Sequence, residues 1–332
     1  MAKMNIKEIA RLANVDHSTV SRALRNSPVV KPATIERIKK IALDHNYVPN
    51  EIARSLKTQK TKIVGLIVSD IKNPFFTEII SATESCLTRD SYNIILCNTN
   101  YNVQEEQKFI NILFSRSVDG IIWSPTSLEH LHLDFFKTYK LPCVLLDVKV
   151  SNLATNSVFV DQEQGAFSAI RHLVQKGHRK IAFLAGPATL SSSEQAIAGF
   201  LKAHKTYHMT VDKDLILRIP QNYDASYSAT LKLLKKNKDI TAIFSLTDFM
   251  CIGIYRALQE KGLKIPADMA VVGYDDLTLT RFLQPSLTTV RQPNSEIGKK
   301  AAELILGNIH EGTRWKPQTV TLQPELIIRE SS

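Results

Sequence analysis

No apolar run in this chain approaches the ~18–20 residues that a membrane-spanning helix needs. The opening stretch, MAKMNIKEIARLANV, also lacks the apolar centre of a secretory leader. Together these absences predict a cytoplasmic protein that makes no membrane contact. Cysteine is scarce: Cys86, Cys97, Cys143 and Cys251 show no C-x-x-C spacing and no nearby histidine cluster. Each sits in an apolar segment, which predicts buried, reduced thiols rather than disulfides or metal ligands. Signatures of catalysis are missing as well. There is no G-x-G-x-x-G after the first strand-like segment, no phosphate-binding Walker loop and no G-x-S-x-G. The nine histidines form no constellation. No enzymatic activity and no cofactor are expected.

What is present is an ordinary globular composition, 44% hydrophobic and 22% charged, in 332 residues. That length accommodates more than one domain and a sizeable core. The net charge of +10 is unevenly placed. Residues 1–60 hold twelve Lys/Arg and five Asp/Glu, a local net of +7. A basic module of this kind is the electrostatic footprint of a polyanion binder.

The basic segment is periodic. Ile6, Ile9, Ala10 and Ala13 recur at helical spacing. Asn14 follows, a residue that tolerates the left-handed backbone of a sharp turn. Asp16 is placed to cap a second helix, His17 to Arg25, with Val20, Ala23 and Leu24 facing inward. A third helix starts near Pro32, an acceptable first helical position, and runs to about Asn46. Two short helices joined by a tight turn and braced by a third make a helix-turn-helix. In that motif the second helix enters the major groove, N-terminal side chains first. Arg22 is the candidate to grip guanine through two hydrogen bonds, with His17 and Ser18 as further base readers.

Between the basic head and the rest lies Asn50-Glu51-Ile52-Ala53-Arg54-Ser55-Leu56-Lys57-Thr58. Asn50 suits an N-cap and good helix formers follow. The stretch covers only about two turns, well under the ~12–15 residues an isolated helix needs in water. It is expected to be marginal alone and to form when something else holds it.

From Ile63 onward, short β-branched apolar segments alternate with helical ones. Ile63-Val68, Tyr92-Cys97, Val118-Trp123 and Cys143-Asp147 form one series. Val158-Val160, Lys180-Leu184, Leu215-Ile219, Ala242-Phe244 and Ala270-Val272 form a second, before a crossing segment near Leu287-Gln292 and a helix from Ser295 to Ile309. This predicts two parallel sheets, each covered on both faces. Ligands of such folds bind beyond the carboxyl ends of the strands. The candidate positions are Asp70 to Phe76, Ser124 to Ser127, Asp147, Asp161, Gly186 to Ser193, Thr247-Asp248 and Asp275-Asp276. Acidic and amide groups beside aromatic rings suit a polyhydroxylated or heterocyclic molecule, although most polar residues at strand ends are caps and turns.

The run IKEIARLANVDHSTVSRALRNSPVVKPATIERIKKIALDHNYVPNEIARSLKT resembles the head of the LacI/GalR family of bacterial repressors. Its A-x-x-A-x-V…TVSR…N frame, YVPN and ARSLK all stand in place. IKNPFFTEII, VDGII, GHRKIAFLAGP, TDFMCIG and VVGYDD…PSLTTVRQP resemble the family's effector domain, so the likeness covers the whole chain, closest in pattern to ribose- and purine-repressor-like members. It implies an all-α helix-turn-helix head on an α/β body like the periplasmic binding proteins, with two doubly wound parallel-sheet subdomains. The implied boundaries are a head at 1–48, a hinge helix and linker at 49–61, and an effector-binding and dimerisation domain at 62–330. Within the body, about 62–156 with 288–318 would form one subdomain and about 157–287 with 319–330 the other.

By the same resemblance His17 and Ser18 are variable base readers, and Thr19, Ser21, Arg22 and Asn26 contact phosphate and base. Ala53, Leu56 and Lys57 belong to the hinge, where Leu56 is the wedge that two subunits push into the minor groove. Asn73, Phe75, Phe76, Ser124, Asp147, Ser192, Thr247 and Asp275 fall where relatives touch effector. Two departures stand out: Ala196 and Val148 occupy positions where relatives often carry arginine. The effector is therefore expected to differ from the usual pentose or hexose, or control to come from a protein corepressor. The implied function is transcriptional regulation, most simply repression, in the bacterial cytoplasm and on its nucleoid. A homodimer would bind a pseudo-palindromic double-stranded operator with a central, easily kinked CG step. No trailing heptads follow the last strand, which favours a dimer over a four-chain assembly. A solute-binding receptor would share the body but would need a secretion signal and no helix-turn-helix.

Overall fold

The computed structural model describes residues 4–48, 60–127, 133–148, 155–237 and 239–332. The chain divides into two compact units, Met1–Thr61 and Lys62–Ser332. The expected hinge stretch 50–58, with Ala53, Leu56 and Lys57, lies outside the described residues.

In the first unit, helices α1 (Ile6–Leu12), α2 (His17–Ala23) and α3 (Pro32–Asp44) enclose a small core of Ile9, Ala10, Ala13, Val20, Ala23, Val30 and Ile38. Asn5 and Glu8 form a reciprocal capping box on α1, the Asn5 side chain accepting from the Glu8 N–H at 3.1 Å and Glu8 from the Asn5 N–H at 2.8 Å. Asn14 takes the left-handed backbone (φ 46°) that turns the chain between α1 and α2. Two details differ from the sequence expectation. Asp16 occupies the N-cap of α2, but its side chain makes no capping hydrogen bond. The helix also ends at Ala23 rather than Arg25, because Asn26 adopts φ 55° and Arg25 folds back to donate to the Ser21 carbonyl at 2.9 Å.

The second unit contains two six-stranded sheets. The first runs β11-β5-β4-β3-β1-β2, with β1 (Ile63–Val68), β2 (Asn93–Asn98), β3 (Gly120–Trp123), β4 (Cys143–Leu146), β5 (Asn156–Val160) and β11 (Thr319–Leu322), all parallel. The second runs β12-β10-β9-β8-β6-β7, with β6 (Ile181–Ala185), β7 (Ile216–Arg218), β8 (Ala242–Ser245), β9 (Ala270–Asp275), β10 (Thr288–Arg291) and β12 (Glu325–Ile327). Only the edge strand β12 is antiparallel to its neighbour. Six interior strands, β3, β4, β5, β6, β8 and β9, are buried along their whole length, as expected when helices cover both faces.

The helices used below are α4 (Pro74–Arg89), α5 (Val103–Ser115), α6 (Leu133–Tyr139), α7 (Gln162–Gln175), α8 (Ser191–Thr206), α9 (Tyr223–Lys236), α10 (Asp248–Glu260) and α11 (Asn294–Glu311). α11 lies along α4 and against β4 and β5, so it belongs to the first lobe. Sheet membership corrects the expected subdomain boundaries. β5 pairs with β4 and β11 in the first sheet, so residues 157–160 and 319–322 belong to that lobe. β10 pairs with β9 and β12, which puts 288–291 in the second lobe. An apolar strand looks the same in sequence whichever sheet it joins; only hydrogen-bond partners distinguish them. The chain thus crosses between lobes after β5, after β10 and after β11. Cys97, Cys143 and Cys251 are buried free thiols and Cys86 is half-buried.

Candidate nucleic-acid interface and ligand cleft

On the head, α2 buries Val20 and Ala23 and leaves His17, Ser18 and Arg22 exposed, with Thr19 and Ser21 half-buried. The 3.6-residue period produces this division: i, i+3 face the core while the intervening positions face out. Asn26, exposed at the end of the following turn, donates its N–H to the Ala23 carbonyl at 3.0 Å. Arg22 makes no intramolecular ion pair among the described residues and is a free guanidinium on the helix face. Ser21 is engaged, since its hydroxyl accepts from Arg25 at 3.2 Å.

In the body, the carboxyl ends of the strands surround one cleft between the lobes. Asn73, Phe75, Phe76, Ser124, Asp147, Ser192, Thr247 and Asp275, the eight positions nominated from sequence, all line it. So do Leu190 and Ser191, within the flagged stretch Gly186 to Ser193, and Ser69, Tyr101, Gln162, Gln221 and Gln292, which were not flagged. Val148 forms part of the wall. Ala196 does not: it is fully buried in the core of the second lobe with Phe200 and Ala203. The free volume left in the cleft is about 50 Å³, far below the ~300 Å³ at which ligand pockets begin. With the lobes as they stand, the cleft leaves little room for a ligand.

Several lining residues also hold the fold. The Asn73 side chain caps α4 by accepting from the Phe75 N–H at 3.1 Å, and Thr247 caps α10 by accepting from the Met250 N–H at 3.2 Å. Phe75 and Phe76 meet edge to face with centroids 5.0 Å apart. Tyr101, in a left-handed loop conformation (φ 57°), reaches across to Gln221 at 3.4 Å.

A polar chain spans the hinge side. Gln162 donates to Asp147 at 3.2 Å and to Gln292 at 3.0 Å, and Gln292 donates to Asp275 at 2.7 Å. Asp147 and Gln162 follow strands of the first sheet; Asp275 and Gln292 lie at the ends of strands of the second. Burial pushes Asp147 up to about 6, against the lowering effect of hydrogen bonds from Gln162 and Ser192. Burial, then the neighbouring Asp248, raises Asp275 well above the usual carboxylate range. Asp248 itself is pushed up to about 7 by burial, though it accepts from Thr289 at 2.6 Å and from the Leu277 N–H at 2.8 Å. Asp276 behaves oppositely. Burial would raise it, but Arg329 and Arg291 (2.8 Å) outweigh that and hold it below its ordinary value.

The missed glutamines had a signal. Gln162 follows β5 by two residues, so the strand-end rule that picked Asp161 stopped one position short, and Gln292 follows β10 directly, at the end of the crossing segment Leu287-Gln292 to which the rule was not applied. Among the described residues, no group of histidine, cysteine and carboxylate side chains is arranged to hold a metal ion. No described helix is long and apolar enough to cross a membrane.

Comparison with known proteins agrees with this architecture. Residues 5–50 match the family described as bacterial regulatory proteins, lacI family. Residues 61–329 match periplasmic binding proteins and sugar binding domain of LacI family. The chain is 33% identical over 327 residues to the HTH-type transcriptional repressor PurR of Vibrio atlanticus (strain LGP32), covering 98% of both chains. It is 34% identical over 333 residues to the HTH-type transcriptional regulator MalR of Clostridium butyricum, covering 99% of each. Among solved structures, the transcriptional regulator CelR–cellobiose complex aligns with a TM-score of 0.76 at 28% identity, over 99% of this chain and 100% of that one. The lac repressor dimer bound to operator and the anti-inducer ONPF aligns at 0.88 and 24% identity, over 99% and 98%, a likeness of fold.

Proposed function

Because the chain belongs to the LacI family of bacterial regulatory proteins, we propose that it is a transcriptional repressor whose operator affinity is set by a small molecule held in the interlobe cleft. The observation that carries this is the pairing, in one chain, of a basic helix-turn-helix with an exposed reading helix and a polar cleft at the carboxyl ends of two parallel sheets. His17, Ser18 and Arg22 read base edges, Thr19, Ser21 and Asn26 set the helix against the phosphates, and two chains place two heads on adjacent half-sites of a pseudo-palindrome. At its centre a CG step is kinked by Leu56, flanked by Ala53 and Lys57, from each subunit.

Parting or closing the lobes moves the two hinge stretches relative to each other. Since a two-turn helix is marginal alone, that displacement decides whether it is ordered, which is an order–disorder switch. Coupling of this type is worth about 1–3 kcal/mol. Selection of binding sites from randomised duplex DNA tests the proposal. A palindromic consensus with a central pyrimidine–purine step supports it, and recovery of no consensus refutes it.

A second reading has one observation in its favour: the nearly filled cleft suits a regulator whose state is set by a corepressor protein instead. A melting-temperature screen with sugars, nucleobases and phosphorylated metabolites separates the two, since a ligand selective for the folded state raises the transition.

A further inference from the structure

We propose that the second lobe holds another small-molecule site, a cavity at the amino end of its sheet that takes an uncharged aromatic compound carrying one hydroxyl or N–H donor. The site is separate from the interlobe cleft and stands whether or not that cleft binds an effector.

The cavity lies between the start of β6, the second half of α8 and the loop that leads into the 3₁₀ turn Lys213–Leu215. Its free volume is about 460 Å³, within the ~300–1,000 Å³ of small-molecule sites, whereas the cleft retains about 50 Å³. Ile181, Phe200 and Leu215 are the deepest apolar groups of the lining, and Tyr207 and Met209 are half-buried. Two aromatic rings and a thioether make a wall suited to a flat ring. Rings pack offset or edge to face, and methionine sulfur adapts to a ring edge.

The charged groups of the lining select no charge. Lys180 is paired with Asp239. Arg179 donates to the Val174 and His178 carbonyls at 2.8 and 3.0 Å, and Asp212 accepts from the Asp214 N–H at 3.0 Å. Arg179 and Asp212 are exposed and of opposite sign, and His208 is exposed as well. Water solvates such groups, so a charged occupant gains little from them.

His204 makes the one buried polar demand. It borders the cavity and is 2% exposed, and its Nδ1 lies 2.9 Å from the Phe200 carbonyl. A carbonyl only accepts, so Nδ1 carries the ring's proton. Burial holds the ring below its ordinary value, against the raising effect of that carbonyl, so no second proton is taken up near neutral pH. Nε2, on the side of the ring away from Phe200, is therefore a bare acceptor, and no described residue donates to it. A buried acceptor without a donor is costly, and an apolar side chain would fill the same place without that cost. A ligand hydroxyl or N–H supplies the missing donor. At its other end the same helix carries Ser191 and Ser192 to the cleft, so the two sites share α8.

The test titrates the full-length chain with phenol and with toluene, which match in size and differ in one hydroxyl. Binding is read by equilibrium dialysis, and the state of His204 by ring-nitrogen NMR. Phenol should saturate one site per chain about tenfold more tightly than toluene. The His204 Nε2 signal should move from that of a bare imidazole nitrogen toward that of a hydrogen-bonded one. His204→Phe keeps an aromatic ring and should bind the two probes equally. Met209→Trp fills the cavity from its half-buried wall and should bind neither. Equal binding of the two probes to the parent, or no saturable binding of either, overturns the proposal. So does a phenol preference that survives in either variant, or an Nε2 signal that phenol leaves in place. Should His204→Phe fail to fold, the Nε2 signal and Met209→Trp decide by the same criteria.

Discussion

Replacing Asp147 by Asn should make the protein more stable at neutral pH and leave it unchanged in acid. Burial raises this carboxyl from 3.8 to about 6, so folding is penalised once the group must ionise. Between these two values the folded state holds a proton that the unfolded state has released. Stability therefore falls as pH rises through that window, and the whole penalty is present above it. Roughly two units at 1.36 kcal/mol each give about 3 kcal/mol. Asp147 keeps some exposure at the cleft wall, so screening reduces this to about 1–3 kcal/mol. Asparagine tolerates the left-handed backbone at this position (φ 57°) and its carbonyl can still accept from Gln162. For a unit of this size each kcal/mol moves the transition by about 2–4 °C, so the variant should melt roughly 2–12 °C higher at about pH 7.5. At about pH 4 and below, the two proteins should coincide. Asp248, Asp276 and Glu330 also titrate abnormally, but they are common to both proteins and cancel in the difference; Asp275, which the charge on Asp147 helps to raise, moves back toward its ordinary value in the variant and adds to the gain at neutral pH. Scanning calorimetry at the two pH values decides the matter. Superimposed melts at neutral pH, or a gap that persists in acid, would refute the assignment of the penalty to burial of this group.

Arg22→Ala should lose roughly 1–3 kcal/mol of base discrimination at one position per half-site, measured by competition among operator variants; unchanged preference would remove Arg22 as a reader. Leu56→Ala should bind operator more weakly and bend it less in a circular-permutation gel assay, and equal bending would end the wedge proposal. Specific affinity should fall steeply with salt, and losing one phosphate contact, as in Ser21→Ala, should leave sequence preference intact. Gly199→Ala should cost about 1–3 kcal/mol through overpacking, since a Cβ there would sit 2.1 Å from the Glu163 carbonyl oxygen. A melt indistinguishable from the parent would show that α7 and α8 can separate without cost.

The alternation of strands and helices was legible because the interior strands are buried on both faces and read as short apolar runs. The head was legible for a different reason: its core positions keep a helical period, and Asn14 marks the turn between them. Asn73 and Thr247 were findable because one residue both caps a helix and faces the cleft, so strand-end position alone flags them. Lobe membership was not legible. The sequences NSVFV and TVTL carry no mark of which sheet their backbone will complete. The Gln162–Gln292 link was hidden because it joins residues 130 positions apart, and neither breaks any local pattern. Ala196 shows the converse hazard. Its place in the pattern drew attention to the ligand, while its side chain lies in the core of the second lobe.

The threefold passage of the backbone between lobes has a bearing on synthesis. β11 completes an edge of the first sheet and β12 an edge of the second, yet both follow every other strand of the body in sequence. The three-helix head precedes the body and, as a separate compact unit, can settle before it. Neither lobe of the body can complete its sheet until β11 and β12 have been synthesised. A messenger truncated between β10 and β11 would thus yield a finished helical head on a body missing one strand from each half.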